Sequence, residues 1–190
     1  MSEEPTLRIA TIDDEAGVQA LMTASAAVLF PRCYDERESA SAVRYVADVD
    51  RALLADGTYY VIEADGELVA CGGWSRRDRL YTGSGDAAGD DRLLDPATEP
   101  ARIRAMFVRA DWTRRGLGRR ILEECEGAAR AEGFRRLALG STVAGLGLYE
   151  AYGFERIDEL EVTLPDGVKV AAVAMEKTIA TGDEVLGSLT

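Results

Sequence analysis

Residues 103–120, IRAMFVRADWTRRGLGRR, constrain the chain more than any other stretch. An apolar run of strand character meets a short polar turn that carries Gly116 and Gly118 between Arg114, Arg115, Arg119 and Arg120. Beyond the turn, through about Glu132, Leu117, Ile121, Leu122, Cys125, Ala128 and Ala129 recur at helical spacing and share one face. A strand therefore feeds a helix through a glycine turn. Cations at a helix N-terminus oppose the helix dipole, by about 0.3–1 kcal/mol each when exposed. One reading is a phosphate site, where backbone N–H groups, dipole and guanidinium groups converge and the glycines admit the ligand to the main chain. The plainer reading is a solvated basic turn. The first is favoured because the rest of the chain is acidic, with 34 Asp and Glu against 22 Lys and Arg.

That charge balance, a formal net −12, also argues against non-specific binding to nucleic acid or to an anionic membrane. The chain has no histidine, and Cys33, Cys71 and Cys125 form no C-x-x-C spacing. A disulfide framework and a zinc site are both disfavoured, and no metal is expected. Catalytic triads built on histidine are excluded, so acid or base work falls to Tyr, carboxylate, Cys or Lys. No apolar run reaches the roughly 18 residues of a membrane span, and the acidic start MSEEP is unlike a signal peptide. The expectation is a cytoplasmic protein. At 190 residues and 47% apolar content, a single domain over 1–190 is the economical reading.

In chain order, 7–12 alternates as a short strand, and a helix with Val18, Leu21, Met22, Ser25, Val28 and Leu29 on one face follows, broken at Phe30-Pro31-Arg32. A second helix is predicted over 41–55. Residues 59–64 and 67–74 flank Asp65-Gly66, a strong hairpin signal. Residues 75–100 are polar, rich in Gly and Asp and without period, which reads as a long loop, either a substrate-side lid or solvated surplus. The 103–132 strand and helix are followed by a strand over 136–141, which completes a right-handed βαβ unit with parallel strands. The glycine turn then lies at the carboxyl end of its first strand, where such sheets bind ligands. A short helix bearing Leu146, Leu148, Tyr149 and Tyr152 precedes a closing hairpin over 154–177 with Pro165-Asp166-Gly167 at its turn, and 180–190 is a loosely held tail.

The turn lacks the G-x-x-x-x-G-K-[ST] of a P-loop and the third glycine of a dinucleotide fingerprint. With the strand, the turn TRRGLG at 113–118 and LYEAYGF at 148–154 read together, the chain resembles the GCN5-related N-acetyltransferase family. The match in order and spacing runs from the first strand to the closing hairpin. The resemblance implies an α+β fold, an αβα sandwich with a mixed central sheet of about seven strands and helices on both faces. It implies an N-acetyltransferase that moves an acetyl group from acetyl-CoA to the primary amine of a small molecule, protein or peptide by direct attack. Main-chain groups of Met106, Phe107 and Val108 would pair with the pantetheine arm and acetyl carbonyl. Arg114, Arg115, Gly116, Leu117, Gly118 and Arg119 would cradle the pyrophosphate. Thr142 stands where the family often has Asn, and still offers a hydroxyl.

Tyr149 would serve as general acid toward the departing thiolate, because a phenol with an ordinary pKa of about 10 stays protonated at neutral pH. The alternative is that Tyr149 simply packs as a helix aromatic. Thr113 and Ala110 depart from the family's Arg or Gln and Pro, so that Arg114 and Arg115 are left to supply the side-chain contact. Gly145 and Gly147 read as softening that helix, at about 1 kcal/mol each relative to Ala. The Val108 N–H is assigned to the developing oxyanion. No base is identified: Glu63 and Glu99 are candidates that read more simply as surface carboxylates, and water is a further carrier. Cys125 reads as core. Phe30, Tyr34, Trp74 and Tyr81 fall on segments that would flank the acceptor, as pocket walls or as packing. Homodimerisation stays open. Two other classes compete: an acyl-CoA sensor without turnover, and a scaffold whose basic turn meets an acidic protein surface.

Overall fold

The computed structural model describes residues 4–78 and 92–180. Its sheet contains β1 (Thr6–Ile9), β2 (Tyr59–Ala64), β3 (Glu67–Ser75), β4 (Ala101–Val108), β5 (Arg136–Thr142), β6 (Glu155–Thr163) and β7 (Lys169–Thr178). The seven strands lie in the order β1-β2-β3-β4-β5-β7-β6. All neighbours are antiparallel except β4 and β5. The helices are α1 (Glu15–Leu29), α2 (Glu36–Tyr45), α3 (Arg51–Ala55), α4 (Leu117–Ala131) and α5 (Leu146–Tyr152).

Helices cover both faces, and the apolar runs of the central strands show why. Along β2, Tyr60 and Ile62 join a core with Leu117, Ile121, Leu122 and Cys125 of α4, and Tyr149 of α5. Tyr59 and Val61 point the other way, into a core with Val18, Leu21, Met22 and Ala26 of α1 and Leu53 and Leu54 of α3. A strand buried on both faces cannot alternate apolar with polar residues, and YYVI does not. The expected α+β sandwich with a mixed seven-stranded sheet is therefore observed. So is the Asp65-Gly66 hairpin, whose two turn residues both have positive φ (52° and 77°), as a tight turn of this kind requires.

Three boundaries differ from expectation. The first strand stops at Ile9, because Asp14 accepts from the Thr11 N–H at 2.8 Å and folds 11–14 into a turn. The predicted 41–55 helix is two helices. Asp35 and Glu38 form a reciprocal capping box that starts α2 earlier, and Asp50 caps α3 by accepting from the Ala52 N–H at 3.0 Å. Between them Gln19 of α1 takes up the freed backbone, donating to Ala47 O at 2.7 Å and accepting from the Val49 N–H at 3.2 Å. Within 75–100, residues 79–91 and Tyr81 lie outside the described residues, as does most of the 180–190 tail. The flanks of that stretch are ordered by charge: Arg92 pairs with Asp78 (3.0 Å) and Glu99 (2.6 Å), and Arg102 with Asp78 (2.8 Å). None of the helices among the described residues is long and apolar enough to cross a membrane.

Candidate active site

The site begins as a defect in the sheet. β4 and β5 pair only at Ala101–Leu137 and Arg102–Ala138; past that point β5 continues on β7 while β4 has no partner on that side among the described residues. A cavity of about 640 Å³ occupies the gap, lined by the last six residues of β4, the turn before α4, Gly140 and Thr142 of β5, and α5.

A bulge shapes β4 where it leaves its neighbour. The register with β3 moves from Gly73–Arg104 to Cys71–Phe107, so that Gly72 faces both Ala105 and Met106. Ala105 takes φ +49°, a conformation that costs an L-residue about 1–2 kcal/mol and is held here by the Tyr59 hydroxyl, which donates to Ala105 O at 2.6 Å. A Cβ on Gly72 would strike the Met106 side chain, which occupies the space the glycine leaves open. Past the bulge the Arg109 N–H donates to Val69 O at 2.9 Å. Because an antiparallel ladder alternates, Phe107 and Arg109 bond toward β3, and the N–H and C=O of Val108 turn to the opposite edge, the cavity side. Ser25 of α1, itself 1% exposed, fixes that edge by donating to Val108 O at 2.7 Å.

The turn after β4 leaves its amides available. Arg114 and Gly116 have φ +62° and +80°, and α4 starts at Gly116 with no side-chain cap and no acidic residue in its first turn. The first N–H groups of α4 and its dipole therefore face the cavity without an intramolecular anion. Arg114 and Arg119 line it. Gly118 serves packing: a Cβ there would lie 2.9 Å from Leu148, so its absence lets α5 sit directly against the start of α4.

A model of the Acetyltransferase (GNAT) family matches residues 23–154, well over half of the chain. The chain belongs to that family. Its fold is similar to a GCN5-related N-acetyltransferase from Rhodopseudomonas palustris (TM-score 0.66, 20% identity, covering 94% of this chain and 98% of that one). It is similar also to the PaiA N-acetyltransferase from Thermoplasma acidophilum, solved in complex with coenzyme A (TM-score 0.64, 16% identity, 93% and 99%). A third similar fold is the ribosomal-protein-S18-alanine N-acetyltransferase from Escherichia coli (TM-score 0.58, 15% identity, 94% and 96%). At these identities the likeness is one of fold. No curated relative matches the chain.

Within this GNAT domain the cavity gathers Met106, Phe107, Val108, Arg114, Gly116, Leu117, Gly118, Arg119, Thr142 and Tyr149. Arg115 does not line it. Its guanidinium stacks over the Trp112 ring at 4.4 Å, Arg120 donates to Pro5 O at 2.7 Å, and Arg119, though it lines the cavity, pairs with Glu123 at 3.0 Å, so three of the four arginines in the turn have intramolecular partners. Thr113, where the family often has Arg or Gln, also lines the cavity, and its hydroxyl donates to Ala110 O at 2.9 Å and closes the turn.

Tyr149 is 8% exposed, packed edge-on against Phe154, and its hydroxyl has no hydrogen-bond partner among the described residues. Burial pushes its pKa above the usual phenol value, so the protonated form persists. Gly145 reads differently in three dimensions. A Cβ there would lie 3.0 Å from both Tyr149 Cε2 and Ser141 Oγ, so the glycine, which stands at the N-cap of α5 and not in its interior, makes room for the tyrosine ring.

Of the aromatics expected near the acceptor, Phe30 and Tyr34 line the cavity, whereas Trp74 packs in the opposite core against Phe134. The Tyr34 hydroxyl accepts from the Val143 N–H at 3.0 Å and donates to Ala171 O at 2.8 Å, which ties the α1–α2 connection to the ends of β5 and β7. Neither candidate base lines the cavity: Glu63 lies 3.4 Å from Arg8, and Glu99 is held by Arg92, which lowers its pKa to about 2. Cys71 and Cys125 are buried, Cys33 is exposed, and none lines the cavity. Sequence reasoning overlooked Ser25 as the anchor of Val108. It also overlooked a buried ion pair, Arg104–Asp50 at 3.0 Å, whose arginine lines the cavity.

Proposed function

We propose that this GNAT protein transfers the acetyl group of acetyl-CoA to a primary amine of a small molecule or peptide by direct attack. One observation carries the reading: the Val108 edge, the Tyr149 hydroxyl and the open N-terminus of α4 border a single cavity. The first-turn amides of α4, with Arg114 and Arg119, suit the pyrophosphate; Arg115, turned onto Trp112, contributes less than the sequence suggested. The bulge delivers Met106, Phe107 and Val108 to the pantetheine arm. The Val108 N–H meets the negative charge that develops on the thioester oxygen, and Ser25 keeps that strand edge in place. Tyr149 gives its proton to the departing sulfur.

Support for turnover comes from a titration of acetyl-CoA by calorimetry, with release of free thiol followed across a panel of amines. Binding together with amine-dependent thiol release is the expected result. Failure to bind any CoA thioester at millimolar concentration would end the proposal. Gly145→Ala supplies a sharper check. The methyl group crowds the Tyr149 ring, and kcat is expected to fall about 10- to 100-fold through misplacement of the acid. Thermal stability should hold or fall slightly, because Gly145 stands at the N-cap of α5, where Ala is no better than Gly, and the added methyl group must be accommodated. Unchanged kcat in a folded variant would remove Tyr149 from the chemistry.

A further inference from the structure

Beyond the donor turn the cavity ends on a wall from two distant parts of the chain: Leu29 and Phe30 at the end of α1, and Val162, Leu164 and Val170 of the β6–β7 hairpin. The two parts are fastened together. Ser41 of α2 donates to the Asp166 carboxylate in the hairpin turn at 2.8 Å, and Tyr34 donates to Ala171 O at 2.8 Å.

What the wall omits is informative. In a chain with 34 acidic residues, no Asp, Glu or Lys lines the cavity among the described residues. The charged or titratable groups that do are Tyr34 from the α1–α2 connection, Arg104 from β4, Arg114 and Arg119 at the donor turn, and Tyr149 from α5. At the acceptor end the only charged residue among them is Arg104, 3% exposed and offset by its buried ion pair with Asp50 at 3.0 Å. An ammonium entering there is desolvated with no carboxylate among the described lining residues to offset it, which favours its neutral form.

We propose that the acceptor is a monoamine with an apolar body, taken up as the neutral free base, so that the attack needs no general base, in keeping with a lining that holds no carboxylate among the described residues. This rests on the acetyl-transfer reading above. The nitrogen lone pair forms the new C–N bond as the C–S bond breaks, sulfur takes the Tyr149 proton, and the surplus proton on nitrogen returns to the phenolate or to solvent. Polyamines and lysine-rich peptides are poor acceptors, because each further ammonium would be buried uncompensated.

The test measures kcat/KM for benzylamine, hexylamine, spermidine and a lysine-rich peptide between pH 6 and 10, beside the thermal shift given by acetyl-CoA. The apolar amines should exceed spermidine and the peptide by at least about 100-fold. Their kcat/KM should rise about tenfold per pH unit up to the pKa of each amine, so that the inflection moves when the amine is changed. Val162→Glu, at a half-buried wall position, should lower kcat/KM for hexylamine by at least about tenfold with the acetyl-CoA shift intact.

A preference for spermidine, or one inflection shared by all amines, overturns the proposal and leaves acetyl transfer standing. An acetyl-CoA shift with no amine acetylated, or with octanoyl-CoA preferred as donor in place of any amine selectivity, also overturns it, since the apolar wall would then belong to the acyl chain. If acetyl-CoA gives no shift and no amine is acetylated, acetyl transfer itself falls, and the proposal with it.

Discussion

Tyr149→Phe is expected to lower kcat by about 10²- to 10⁴-fold, the usual contribution of a positioned general acid, while acetyl-CoA affinity stays nearly unchanged. The hydroxyl is the only group removed, and it has no hydrogen-bond partner to lose among the described residues, so the ring keeps its edge-on contact with Phe154 and the fold is undisturbed. The pH dependence follows from the direction of its shift. Burial raises the phenol pKa, so the acid form is retained as pH climbs, and wild-type kcat should show no falling limb below about pH 10. Calorimetry of acetyl-CoA binding and a thiol-release assay on the same preparation check both halves. A protein that only sensed acyl-CoA would keep ligand binding and have no turnover for the variant to lose.

Asp50→Ala is expected to be the most damaging substitution for stability, by about 3–5 kcal/mol from the broken buried pair and about 1 kcal/mol more from the lost cap. The Arg104–Asp50 pair is at 3.0 Å with side-chain exposures of 2% and 6%, and the same carboxylate accepts from the Ala52 N–H to start α3. Removing Asp50 takes the carboxylate from a guanidinium on the strand that forms the bulge. Asp50→Asn separates the two contributions, because asparagine still caps a helix but does not neutralise Arg104. It should recover about 1 kcal/mol relative to Ala. Urea unfolding of the three proteins decides this: losses below about 1 kcal/mol for both variants would show the pair to be dispensable.

Much of the fold was legible because it is written in short-range chemistry. Asp65-Gly66 supplies the positive φ angles of a tight turn, and the helical spacing of Leu117 to Ala129 finds its apolar face whatever the sheet does. The missed start of α2 was equally local: Asp35 and Glu38 are a capping box in plain view. The site was less legible, because its parts are set by residues far apart in the chain. The left-handed backbone of Ala105 has no signature at Ala105; it is held by the Tyr59 hydroxyl, two strands away.

By itself, then, the sequence determined the strand, glycine turn and helix of 103–131, the two hairpins, and the absence of histidine chemistry. Only the tertiary structure decided that β4 parts from β5 after Arg102, that Ser25 holds Val108, that Arg115 turns onto Trp112, and that no carboxylate among the described residues lines the cavity. Each of those depends on which distant groups are brought within a few ångströms. Periodicity and turn chemistry report a residue's neighbours along the chain, and carry no record of its neighbours across the sheet.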